Sequence, residues 1–518
     1  MSSTSSPITS PTVSALTARA LARHPHRVAF SWDGGTLTYA HTAALIGGIQ
    51  AAYATAGLSR GACIGVLAGN RAESWCAIAA AQAMGMRTTP LHPMGSLADH
   101  RFQLGDAGVD ALVVDPDGFG ERGAALADDI DTVFALDPAG FGRDLLAAAA
   151  DIGAAPARDV SRPDDIAIIN YTGGTTGRPK GVMRRQRHLG ASTAAILADF
   201  ELPVTPRYLA AAPISHVAGS KVLPTLWRGG TVHLQQGFDP SRLVTTVAAE
   251  RINMALLVPT MIYGLLDHAD DLSALSSLEL LLYGASPMSP SRLREGLERI
   301  GPVFSQLYGQ TECYPVAVLA RADHDVARPE LFSACGHPIA SCQVALLDAD
   351  NNEVPQGEPG EICVRAPHVM EEYWQRPDTT AETFAGGWLH TSDIARRDEE
   401  GRLFIVDRKK DMIISGGFNI YPKEIEDVLT AHPGVAQAAV IGIPDEKWGE
   451  AVTAVIVRRG STDATADELT ALVREQKGRA HAPKRVDFVD ALPLTAVGKV
   501  DKKVLRQPYW DAADRQVG

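Results

Sequence analysis

From Cys63 onward the chain alternates short β-rich runs with Ala-rich stretches. Cys63 to Leu67 and Ala111 to Val114 are apolar and of strand length, whereas Ala72 to Met84 has the length and composition of a helix. No other feature narrows the choice of fold as far, because β-α repeats call for mostly parallel sheets with helices on their faces. Later the pattern changes. Val344 to Leu347 and Gly360 to Val364 bracket the Asn-, Pro- and Gly-rich segment Asp348 to Pro359, which suits a hairpin or small barrel. Gly401 to Ile405 reads as a strand that runs into the charged residues Asp407 to Asp411, expected to form an exposed junction between domains. Beyond it, Pro422 to His432 and Ala466 to Gln476 read as helices, and Ala438 to Ile443 and Ala451 to Arg458 as strands. The expected fold is α/β, with a large N-terminal domain over residues 1–406, a small β-barrel-like subdomain within it, and a smaller α+β domain over 412–518.

At 518 residues the chain is long enough for a large body plus a second domain. A net charge of −13 argues against nucleic acid as a partner, so any anionic ligand must be held locally. The six cysteines (Cys63, Cys76, Cys313, Cys335, Cys342, Cys363) show neither a C-x-x-C pair nor a nearby His cluster, so they read as reduced, packed thiols and indicate no zinc site. The start, Met1 to Pro11, lacks the basic and apolar parts of a secretory signal, and no apolar run reaches about 18 residues. A cytoplasmic protein without a transmembrane segment is expected, with monomer and homodimer both open.

Chemistry concentrates first in the run Tyr171 to Val182, directly after the apolar residues Ile166 to Ile169. Gly173, Gly174 and Gly177 let backbone N–H groups turn toward an anion, Thr172, Thr175 and Thr176 add hydroxyl donors, and Lys180 adds charge. This is a phosphate cradle but not a Walker loop, since Lys180 is followed by Gly181 and not by Ser or Thr. A glycine-rich loop alone is more often only a turn; the combined Thr, Gly and Lys pattern reverses that.

With these residues the chain resembles the adenylate-forming superfamily of acyl-CoA synthetases, aryl-CoA ligases, luciferase and peptide-synthetase adenylation domains. Further motifs follow in that family's order as far as Leu505. The resemblance implies that Gly284, Ala285 and Ser286 line an adenine pocket, that Tyr308 and Gly309 continue it, that Thr311 binds phosphate, and that Glu312 binds Mg²⁺. Asp393, in Trp388 to Asp393, would accept the ribose hydroxyls, with Ser392 where the family usually has Gly. Arg408 would reach the nucleotide, Lys410 would be the pivot of a hinge over 407–411, and Gly417 would leave room for the pantetheine arm of coenzyme A. Lys499, in Pro493 to Lys502, would contact the carboxylate and α-phosphate, and His216 would stand beside the acyl pocket. The C-terminal domain is accordingly expected to be mobile.

The resemblance further implies two half-reactions: a carboxylic acid and ATP give acyl-AMP and pyrophosphate, then CoA displaces AMP. Actinobacterial fatty-acid-CoA ligases are the group most resembled, through Leu91 to His100 and Pro444 to Glu450. Ala218, Gly219 and Ser220 suggest a pocket wide enough for a bulky alicyclic or terpenoid acid. An aryl-CoA ligase and an acyl-AMP ligase loading a carrier protein are the rival enzymes. A catalytically dead nucleotide-binding scaffold is the non-enzyme alternative, disfavoured because Lys499, Glu312, Asp393 and Arg408 are all present.

Overall fold

The structure, a computed structural model, describes residues 11–151, 156–172, 179–268, 271–408, 411–415, 418–445, 447–460, 464–495 and 499–510. Two large sheets dominate it, as the β-α alternation requires. In the first, Phe304–Tyr308, Leu280–Gly284, Met254–Leu257, Arg207–Ala210, Thr231–Leu234 and Val28–Trp32 are parallel neighbours in that order. Antiparallel strands, Gly35–Thr38 at one side and Ala317–Leu319 with His337–Pro338 at the other, complete it. In the second, Ile166–Thr172, Arg87–Pro90, Cys63–Leu67, Ala111–Val114, Thr132–Ala135 and Arg143–Asp144 run parallel. Lys180–Arg185 and Glu372–Tyr373 extend its edge antiparallel.

The helix Ala72–Ala83 carries small residues on nearly every side, which is why it can be buried almost all round; Met84 caps it where the sequence reading had it continue. The main core spans both sheets, joining Phe30 and Tyr208 of the first to Ile64, Val113 and Phe134 of the second through Ile49 and Tyr53 of the helix Tyr39–Thr55. Each such side chain contributes roughly 1.5–3 kcal/mol when fully buried. Buried phenols keep partners: the Tyr39 hydroxyl donates to the Gly230 carbonyl at 2.6 Å and Tyr208 to the Ala218 carbonyl at 3.0 Å.

The expected barrel-like subdomain is an antiparallel sheet ordered Gln343–Leu347, Gly360–Arg365, Leu389–Arg397, Leu403–Arg408. Its outer strands do not pair with one another among the described residues, so it stays open. The first hairpin turns at Asn351, whose φ is +64°, and the Asp348 carboxylate accepts the amides of Asp350 and Asn352 at 2.9 Å. The last strand runs on to Arg408 and takes in Asp407, which the sequence reading made part of an exposed junction. Asp407 is instead buried, because its carboxylate accepts the Arg408 amide at 2.7 Å and the Lys423 amide at 3.1 Å. Burial pushes its pKa up to about 6 against the lowering effect of Lys502.

Past this point, Phe418–Ile420, Ile413–Ser415, Gly449–Arg458 and Val435–Asp445 form an antiparallel sheet that Arg485–Phe488 joins in parallel. The helices Pro422–Thr430 and Ala466–Lys477 cover it, burying Ile425, Leu429, Leu469 and Val473 against Val440 and Ile456. A reciprocal cap starts the second helix: Thr465 Oγ1 accepts the Glu468 amide at 3.3 Å and Glu468 Oε2 lies 3.5 Å from the Thr465 amide.

Candidate active site

Tyr308 ends the strand Phe304–Tyr308, where the first sheet changes from parallel to antiparallel pairing, and its hydroxyl donates to Asp393 Oδ2 at 2.7 Å. Gln310 Nε2 donates to the same oxygen at 2.6 Å, while Arg408 Nε stands 3.1 Å from Asp393 Oδ1. Antiparallel pairing of Asp393 with Arg408 fixes this meeting across two strands. Burial, with Asp393 second, raises the Tyr308 pKa far above its ordinary value, so the phenol remains a donor. Burial works against the charge of Arg408, but the carboxylates of Asp393 and Asp411 outweigh it and raise its pKa. A carboxylate offers about four lone-pair directions, so Asp393 keeps accepting capacity beyond these partners.

A second group gathers around Glu312. Thr172 and Lys180 face each other across the last antiparallel pair before the Gly/Thr loop. Lys180 Nζ sits 5.0 Å above the ring of Tyr373, and the Tyr373 hydroxyl donates to Glu312 Oε1 at 2.7 Å. The Glu312 carbonyl accepts the Met370 amide at 2.7 Å, and the buried Arg184 guanidinium interacts with the Glu312 charge. Burial lowers the Arg184 pKa to about 10, which leaves it cationic at neutral pH, and its Nε has no hydrogen-bond partner. One aromatic residue thus ties a lysine from one sheet to a carboxylate from the loop after the other.

The connecting backbone is tight. A Cβ at Gly284 would run into the Leu307 carbonyl, and one at Gly309 would meet the Tyr314 ring at 2.8 Å and the Cys313 carbonyl at 2.9 Å. Ala285 has φ +66° and is followed by half-buried Ser286, so the turn after Leu280–Gly284 holds a conformation that costs a residue with a Cβ about 1–2 kcal/mol. Ser392, beside Asp393, is likewise left-handed at φ +60°, its amide donating to Glu361 Oε1 at 2.8 Å. This explains the motif's usual Gly in physical terms. Ser392→Gly is expected to raise stability by about 0.5–1 kcal/mol, the relieved strain exceeding the entropy cost of glycine; an unchanged or lower melting midpoint would refute it.

His216 leads into the short helix Val217–Lys221, with Nδ1 2.9 Å from Ser215 Oγ and its ring 4.3 Å from that of His92 in an edge-on arrangement. Burial, then the neighbouring His92, lowers its pKa to about 3, so at neutral pH it is an uncharged packing group. Thr311 is half-buried in the bend before Glu312. Lys499 is held to Thr495 through its backbone: its carbonyl accepts the Thr495 amide at 2.7 Å and its amide donates to Thr495 Oγ1 at 3.2 Å. Gly173, Gly174, Thr175, Thr176, Gly177, Lys410 and Gly417 lie outside the described residues. The structure adds Gln310, Tyr373 and Arg184 to the residues read from sequence. Gln310 lies inside the Tyr308 to Glu312 motif, but Tyr373 and Arg184 carry no local signal, since only sheet pairing brings them to Glu312.

Comparisons with known proteins bear on the chain as a whole. Residues 17–374 match the AMP-binding enzyme family, and residues 424–499 match the AMP-binding enzyme C-terminal domain. A medium/long-chain-fatty-acid–CoA ligase of Mycobacterium tuberculosis is 43% identical, with 96% of this chain and 90% of that protein covered. A feruloyl-CoA synthase of Amycolatopsis is 37% identical over 94% of this chain and 96% of its own. Among solved structures, the amide bond synthetase McbA of Marinactinospora thermotolerans superposes with a TM-score of 0.89 at 34% identity, covering 96% of this chain and 100% of McbA. No described helix is long and apolar enough to cross a membrane. With the match extending over both the body and the C-terminal segment, the chain belongs to the family of AMP-binding enzymes.

Proposed function

We propose that the chain is an AMP-forming acid–thiol ligase that activates a medium- to long-chain or bulky carboxylic acid as its acyl-AMP and passes the acyl group to coenzyme A. The observation that carries this reading is the buried Asp393 carboxylate, gripped by Tyr308, Gln310 and Arg408, together with the Lys180–Tyr373–Glu312 group, whose Glu312 lies two residues after Gln310. In it, Asp393 takes the ribose hydroxyls, the Tyr308 ring and the Gly284–Ala285–Ser286 turn flank adenine, and Lys180, Thr172 and the Gly/Thr loop hold the phosphates. Arg184 adds fixed positive charge behind them.

Glu312 suits a hard cation: Tyr373 uses one of its lone-pair directions, and the remaining carboxylate capacity matches an ion that keeps several waters. Magnesium held there supplies charge neutralisation to phosphate oxygens. The rest falls to the chain. A carboxylate is a poor electrophile, and joining it to AMP gives it a good leaving group. The acid's oxygen attacks the α-phosphorus, the bond to pyrophosphate breaks, and Lys499 stabilises the charge on the oxygens in flight. Neutral His216 packs beside the acyl chain and excludes water, a role that suits its lowered pKa. The CoA thiol then adds to the acyl carbonyl as AMP departs, and no side chain becomes covalently bound.

In this reading the body runs from residue 1 to 406, residues 407–411 are the hinge and 412–518 the mobile part, with Lys410 as pivot and Gly417 admitting pantetheine. The neighbours in sequence support an acyl acid: one acts on medium and long fatty acids, another on a feruloyl acid. A cytoplasmic enzyme acting as monomer or homodimer completes the proposal.

The test is acid-dependent AMP release from ATP and Mg²⁺ over linear, aryl and polycyclic acids, with and without CoA, with products identified by mass. Acyl-CoA from at least one acid is the expected product. Acyl-AMP that accumulates despite CoA overturns the acceptor and points to a carrier protein; no AMP release with any acid overturns the ligase.

A further inference from the structure

On the outer face of the open antiparallel sheet, three side chains from adjacent strands converge away from the nucleotide groups. Cys363 and His390 are direct cross-strand partners, and Glu361 lies two residues before Cys363 on the same face. Their ligand atoms lie within 4.8 Å of one another: His390 Nδ1 is 3.1 Å from Glu361 Oε2 and 3.3 Å from Cys363 Sγ. Glu361 and Cys363 are buried and His390 is partly exposed, with Trp388 packed against Cys363. No local pattern announces this cluster, since Cys363 and His390 are 27 positions apart and only strand register joins them.

The donor set, one imidazole, one thiol and one carboxylate, suits a cation at the centre. His390 Nε2 is 3.2 Å from the Ala385 carbonyl, which can only accept, so Nε2 carries the proton. In the neutral ring Nδ1 then presents its lone pair toward a carboxylate oxygen and a sulfur. Four-coordinate zinc, with bonds of roughly 2.0–2.3 Å, places its ligand atoms about 3.4–3.6 Å apart, close to the two His390 separations, while the Glu361 and Cys363 atoms, within 4.8 Å of each other, would draw together on binding. The outer contacts also match those of zinc sites: the distal histidine nitrogen donates to a backbone carbonyl, and the other carboxylate oxygen accepts the Ser392 amide at 2.8 Å.

We propose that Glu361, Cys363 and His390 form a zinc-binding site with one position open to water. On binding, the Cys363 thiol releases its proton to solvent as the sulfur–zinc bond forms. The ion then staples the strand Leu389–Arg397 to Gly360–Arg365 just ahead of Ser392 and Asp393.

Full-length protein stripped by chelator and kept free of magnesium is titrated with zinc, and separately with cobalt, whose bond to a thiolate gives a charge-transfer absorption band. One ion per chain, a proton released on binding and a cobalt–thiolate band lost in Cys363→Ser are expected. Zinc affinity falls at least about tenfold in that variant and in His390→Gln, which serves if Cys363→Ser fails to fold. Zinc binding that both folded variants retain overturns the site. Absence of the cobalt band in the natural chain also overturns it, leaving an imidazolium–carboxylate pair.

Discussion

Lys499→Ala is expected to slow acyl-adenylate formation by about 10²- to 10³-fold while transfer from preformed acyl-AMP to CoA stays near its original rate. Loss of one preorganised positive donor aimed at developing charge costs about 2.7–4 kcal/mol in comparable sites. The asymmetry between the half-reactions is the informative part, because a folding defect would depress both. Acid-dependent pyrophosphate exchange measures the first, and thioester appearance from synthetic acyl-AMP the second. Equal losses in both would remove Lys499 from its proposed place in the first half-reaction.

Stability is expected to fall steeply between pH 7 and pH 5. Burial holds His92, His188, His233, His324 and His368 neutral with pKa values lowered to about 4, and His216 to about 3. Each sits below the unfolded value near 6.5, so between the two values the unfolded chain binds the extra proton and stability drops as pH falls. Above about pH 7 the contribution is complete and flat. Each such group adds up to about 1.4 kcal/mol per pH unit in its window. Asp407 works in the opposite direction: its pKa, raised to about 6, makes the folded state bind a proton more readily below that value. Asp115 and Glu450, also raised by burial, oppose the effect with Asp407, but the six imidazoles outnumber them, and the net loss of several kcal/mol is a large part of a typical folding free energy. Denaturant melts at pH 7.5 and pH 5.0 with matching midpoints would sink this expectation.

Much of this was legible beforehand where local pattern and tertiary role coincide. Cys63–Leu67 and Ala111–Val114 are strands to the residue, because a short apolar run between turn residues has few other ways to be buried. Tyr308, Asp393 and Arg408 were named from their motifs and do meet around one carboxylate. What escaped depends on register. Tyr373 reaches Glu312 only because its short strand pairs with Lys180–Arg185, and Arg184 carries nothing in its neighbours to announce burial beside an acid. Asp407 was misread for the converse reason: a run of charges resembles a solvated surface unless one knows that a carboxylate there caps two backbone amides.

Those two amides belong to Arg408, within the proposed hinge, and Lys423, beyond it. Lys502, whose charge helps hold Asp407 ionised, is itself paired with Glu426 at 2.7 Å. A swivel of the C-terminal part that carried Lys423 away would have to break a buried bond at one end of its travel and find a replacement at the other. Under the proposed swivel, such a joint would act like a detent, favouring discrete stops over continuous wobble, with a single carboxylate setting one of them.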